Sequence, residues 1–121
     1  MTNNEREEYR LAALAAGIDI MLHDRGFRNI TGSNPMTNIY SLPMWRPKTD
    51  KADSFDLMAA CRMDLFLSSG SVRASNGESV SGIYQSDKPI DEQAMEVIFM
   101  RAVSIGRSIE QARIATEGDQ K

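Results

Sequence analysis

Trp45-Arg46-Pro47-Lys48-Thr49-Asp50 decides how this chain divides into elements. Pro47 fixes its own φ and pushes Arg46 away from helical backbone, so any strand running through Trp45 ends there. Thr49 or Asp50 then offers a side-chain oxygen to a helix start. The spacing predicts a helix from this cap to about Met63. Its apolar stripe is Ala52, Phe55, Met58, Ala59 and Arg62 or Met63, with Lys51, Asp53 and Asp56 turned to water.

Upstream of that segment, Tyr40, Leu42 and Met44 alternate in a strand over 39–45, and Pro43, which cannot donate to a ladder, makes it an edge strand or stops it early. Gly32-Ser33-Asn34-Pro35 is a loop by its chemistry. Alternation over 18–23 predicts a strand with Ile18, Ile20 and Leu22 on one face. Asp24-Arg25-Gly26 turns the chain into a second short strand over 27–31. The N-terminal helix is capped by Asn3 or Asn4, carries Leu11, Leu14, Ala15 and Ile18 at helical spacing, and stops at Gly17. Residues 1–4 are expected to fray.

Downstream, Leu65 and Leu67 begin a strand. Ser75-Asn76-Gly77-Glu78 signals a hairpin with Asn76-Gly77 as a two-residue turn, which pairs Arg73 with Val80 and Val72 with Ser81. Ile83 and Tyr84 belong to the hairpin base. Asp91 caps a last helix with a stripe of Ala94, Val97, Ile98, Ala102, Ile105, Ile109 and Ala112. Gly106 within it marks a bend or a close approach. A polar tail over 117–121 is expected to be loose. The order is α-β-β-α-β-β-α in one domain over 1–121. The simplest way to bury three helical stripes is an α+β fold, with a small antiparallel sheet of about four strands.

With 121 residues the chain has the size of one domain, and 41% hydrophobic content is enough for a core. A net charge of -3 gives no global attraction to nucleic acid, so direct nucleic-acid binding is disfavoured. Ten of the 14 basic residues are Arg, which leaves local sites for carboxylate or phosphate open. Cys61 is the single cysteine, so no internal disulfide forms, as suits a reducing cytoplasm. No apolar run approaches the ~20 residues of a membrane span.

The residues that carry chemistry are few. His23 and Cys61 would need contact and an orienting partner to act together, and Cys61 reads as a small hydrophobe on a helix. Asp50, Asp53 and Asp56 share a helix face, where a solvated, dipole-favoured row is the simpler account than a cation site. One His and one Cys cannot furnish a structural zinc site. No catalytic residue, metal ligand or cofactor is assigned. Arg101, Arg107 and Arg113 fall partly along one side of the last helix, where a solvated face pairing with Glu110 is the simpler account than a site for phosphate or acidic residues. The residues best suited to anchor a partner are Tyr40, Trp45, Arg46, Arg73 and Arg107, because exposed aromatic and Arg side chains dominate interface energetics.

Three stretches carry a resemblance: residues 11–18 (LAALAAGI), 45–50 (WRPKTD) and 101–106 (RAVSIG). With this order of elements, the chain resembles small bacteriophage- and prophage-encoded proteins of the phage ABA-sandwich domain type, a family of unknown function. The resemblance implies a phage source and a place in the host cytoplasm, and it brings no catalytic residue or cofactor. The resulting expectation is a binding protein that occludes a host protein or complex, as an anti-CRISPR-like inhibitor would. A protein that sequesters a small nucleotide, or an accessory protein without a ligand, is the alternative. A homodimer through the 39–45 edge strand or the last helix fits any of these.

Overall fold

The computed structural model describes residues 1–119. Three helices and two small antiparallel sheets make an α+β fold. Helix α1 (Asn3–Ala16) precedes the hairpin β1 (Ile20–His23) and β2 (Gly26–Asn29). Helix α2 (Lys51–Ala60) leads into the meander β3 (Asp64–Leu67), β4 (Ser71–Ser75) and β5 (Val80–Tyr84), and α3 (Ile90–Asp119) closes the chain. The expected single sheet of four strands is two sheets, of two and three strands in the orders β1-β2 and β3-β4-β5.

Local chemistry sets the helix ends. The cap of α1 is Thr2, one residue before the expected Asn3 or Asn4, and its hydroxyl accepts the Glu5 N–H at 3.1 Å. Residues 3 and 4 are therefore helical and not frayed. Gly17 takes φ 71° and stops the helix, with the Ile18 N–H returning to the Ala13 carbonyl. The last helix opens at Ile90, so Asp91 sits in its first turn and does not cap it. It remains helical through Asp119, where a loose tail was expected from 117, and residues 120 and 121 lie outside the described residues.

Leu11, Ala12 and Ala13 of α1 pack against Val97, Ile98, Phe99, Ala102 and Val103 of α3, with Leu57, Val72, Ala74 and Trp45 completing the core. Small residues on α1 let the two helices meet closely at Gly106, which settles close packing over a bend as the reason for that glycine. Past Glu110, residues 111–116 of the helix are all exposed.

Two further expectations change. The 39–45 strand is a 3-10 turn over Ile39–Ser41 followed by one bridge, Met44 opposite Arg28. The Pro43 carbonyl accepts from Asn29 (3.0 Å) and Trp45 N–H donates to Phe27 (2.9 Å). Pro43 has no N–H to extend the ladder, so pairing stops at this stub. The β4–β5 register places Ser75 opposite Val80 and Arg73 opposite Gly82, a shift of two from the expectation. The turn uses Asn76 to Ser79, because the Asn76 side chain accepts the Ser79 N–H (3.2 Å) and widens the loop.

The buried face of α2 is also rotated from its predicted stripe. Ser54 and Leu57 are buried, whereas Phe55 is 61% exposed.

Candidate functional site

Trp45-Arg46-Pro47 turns out to be an internal brace. Trp45 is 4% exposed and meets Tyr9 edge-on, with ring centroids 6.0 Å apart. Trp45 therefore belongs to the core and offers no contact surface, because the bridge to β2 points it inward beside Phe27. Pro47 is fully buried behind it. Asp50 caps α2 by accepting the Asp53 N–H (3.0 Å), and Asp53 reaches back to accept the Arg46 N–H (2.8 Å). Arg46 is thus held through its backbone while its side chain is exposed. Partial burial, with Asp50 and Asp56 nearby, pushes the Asp53 carboxyl above its ordinary range, and the Arg46 N–H partly offsets this.

The five predicted anchors do not converge. Tyr40 stands beside the β1–β2 hairpin, Arg73 on β4 and Arg107 on α3, and no ring contact, hydrogen bond or ion pair joins these three among the described residues. The guanidinium of Arg73 lies over the Phe66 ring at 5.4 Å. Arg101, expected on the same side as Arg107, is buried, with its Nε lacking a partner among the described residues.

Tyr40 keeps its predicted exposure at 68%, yet its ring is held in place. The Asn38 side chain accepts the Tyr40 N–H (3.0 Å) and starts the 3-10 turn. The ring then meets His23 edge-on at 5.0 Å, and the Arg28 guanidinium stands 5.8 Å from its centroid. Arg28 is fixed in turn by donating Nη1–H to the Leu42 carbonyl (2.8 Å). His23 and Arg28 project from the hairpin face opposite Phe27, because side chains alternate along a strand. The buried His23 Nδ1 and Arg28 Nε have no partner among the described residues.

Beside this cluster lies a groove of about 310 Å³, lined chiefly by Met21, Ile30, Pro35, Ile39 and Leu42. Met36, between the lining residues Pro35 and Thr37, is 92% exposed. The Asn34 side chain holds this turn by accepting the Met36 N–H (2.9 Å). Sequence reading found Tyr40 but missed this grouping, since nothing in the spacing links His23 or Met21 to a residue so far along the chain. The exposed Met after Asn34-Pro35 was the available signal.

His23 and Cys61 take separate roles. His23 packs on Tyr40, and Cys61 ends α2 with its thiol pushed up by burial. Among the described residues, no three His, Cys, Asp or Glu side chains gather as a metal site. No helix among the described residues is long and apolar enough to cross a membrane. A second cleft, of about 380 Å³, has Lys48 and Lys88 facing Glu92 and Glu96, and the Lys88–Glu96 pair (3.2 Å) internally offsets much of its charge.

No family model matches the chain, and no curated protein or solved structure matches it.

Proposed function

We propose that this chain is a phage-type binding protein that acts in the host cytoplasm by covering a surface of a host protein, as an anti-CRISPR-like inhibitor would, and that it performs no reaction of its own. One observation carries the reading: Tyr40 is exposed and immobilised at once. An aromatic side chain already locked between His23 and Arg28 loses little rotamer freedom on binding, so its contact area converts efficiently into affinity. The adjoining groove is large enough for an apolar side chain of the partner, and Met21 and Met36 can adapt to its shape. The occupant this surface suits is a folded protein presenting an apolar ridge with a hydrogen-bond acceptor beside it, which the Tyr40 hydroxyl would meet.

The test compares wild type, Tyr40→Ala and Arg107→Ala as immobilised baits in a host lysate. One host protein should be retained in stoichiometric amount by wild type and by Arg107→Ala, and lost by Tyr40→Ala at unchanged melting temperature. Failure to retain such a protein, or equal retention by Tyr40→Ala, overturns the proposal. A melting temperature raised by one member of a cyclic-nucleotide panel would replace it with nucleotide sequestration.

A further inference from the structure

The outer edge of β3 is open, and the ladder phase shows what it presents. The Ser68 N–H donates to the Ser71 carbonyl at 3.0 Å. In an antiparallel pair, hydrogen-bonded positions alternate, so Ser68, Phe66 and Asp64 direct their backbone groups to β4. Leu65 and Leu67 direct theirs the other way, where, among the described residues, β3 has no neighbouring strand and no other backbone bond takes them. β3 is short and carries Asp64, but no Lys, Pro or bulge guards its outer edge.

Apolar side chains crowd this edge on both faces. Phe66 and Leu67 are exposed, as is Phe55 of α2. Phe55, Met58, Leu65 and Ile98 line an apolar groove of about 160 Å³, in which the Ser54 hydroxyl is buried without a partner among the described residues. We infer that a second copy of this chain covers the edge, β3 pairing antiparallel with β3 about a twofold axis at Phe66.

The strand is complementary to itself in that register. Asp64-Leu65-Phe66-Leu67-Ser68 meets its own reverse with Asp64 opposite Ser68, Leu65 opposite Leu67 and Phe66 opposite Phe66. No like charges face each other. Each Leu65–Leu67 pair exchanges both of its free backbone hydrogen bonds, and the two three-stranded sheets become one. Phe66 pairs across the axis with Arg73 stacked on its far side. Leu67 lies on the same strand face as Leu65, so it reaches toward the other copy's groove. This interface is separate from Tyr40, and either proposal can fail alone.

The full chain is tested by sedimentation equilibrium over a range of concentrations. Wild type should dimerise with concentration. Leu67→Pro removes an outward N–H and leaves the β3–β4 bonds intact, so it should raise the dissociation constant about tenfold or more. Phe66→Cys in a Cys61→Ser background puts two thiols at a non-hydrogen-bonded pair, about 4.5 Å apart at Cα and within disulfide reach. Oxidation should link it as a covalent dimer, while Tyr84→Cys in the same background stays unlinked. A wild type that is monomeric at every concentration, a dimer indifferent to Leu67→Pro, or a Phe66→Cys chain that does not link selectively overturns the inference.

Discussion

Leu11 and Gly106 meet backbone to backbone: a Cβ placed on Gly106 would overlap the Leu11 carbonyl and stand 3.0 Å from the Leu11 Cα. Nothing at that contact is a flexible side-chain end that can swing away. Gly106→Ala gains about 1 kcal/mol of helix propensity, but it must push α1 off α3. The expected outcome is a net loss of about 2 kcal/mol or more, read from chemical denaturation.

Trp45 and Tyr40 should separate cleanly under substitution. Trp45→Ala empties a site packed by Tyr9 and the core, with an expected cost of about 3–5 kcal/mol. Tyr40→Ala removes an exposed ring and should leave the melting temperature within a few degrees of wild type. Denaturation curves of the two variants check this. Equal destabilisation would mean that the His23–Arg28 clamp serves the fold and not a partner.

How far the sequence was legible follows from the same pair. Pro47 and the Asp50 cap marked a real turn, and helical spacing located α3 and the buried Val97, Ile98 and Ala102 of its stripe, because these signals are local. The stripe's far end, Ile109 and Ala112, is exposed because α3 has no packed partner there among the described residues. Trp45 was misjudged because its burial depends on Tyr9 and on a one-residue bridge to β2, both distant in the chain. The β4–β5 register slipped because the Asn76 side chain accepts the Ser79 N–H in place of a tight Asn-Gly turn. The Tyr40 clamp was invisible, since His23 and Arg28 reach it only when the 3-10 turn folds over the hairpin. In α2 the weakly segregated apolar residues left Phe55 on the wrong side of the predicted stripe.

The turn from β1 to β2 carries conformational cost. Asp24 and Arg25 both take positive φ, 53° and 70°. A hairpin turn of this kind favours Gly at its second position, and Arg25 is exposed. Arg25→Gly relieves left-handed strain and gives back part of the gain as chain entropy. Net stabilisation of about 0.5 kcal/mol is expected by thermal denaturation.

Two acidic groups should give opposite pH signatures. Asp53 has a folded pKa raised mainly by burial, so folding favours its neutral form. Its contribution is greatest below the unfolded carboxyl value and is lost as pH rises through the raised folded value. Asp53→Asn keeps an acceptor for the Arg46 N–H, so at neutral pH it should be at least as stable as wild type, without that decline. Glu7 runs the other way. Hydrogen bonds from Arg10 hold its carboxyl low, so its support is present above the unfolded value and fades as pH falls through the folded one. Both groups of this Arg10 tie are substantially exposed, so added salt should weaken it. Stability measured against pH for Asp53→Asn and Glu7→Gln checks both signs.

Cys61 should be a slow thiol. Its half-buried position raises its pKa, which lowers the thiolate fraction at neutral pH. Labelling with a disulfide reagent should lag well behind a free cysteine and catch up in denaturant. Immediate native-state labelling would contradict its placement at the end of α2.

Past Glu110, α3 exposes every residue from 111 to 116. Its turns there are kept by their own backbone bonds and by residues such as Ala112 and Ala115, and a short helix without packing is marginal in water. That end should melt before the body does. Trp45, deep beside Tyr9, reports only on the body, whereas ellipticity at 222 nm sums both parts. On heating, the two optical signals should therefore part company, the ellipticity sagging while the indole still reads native.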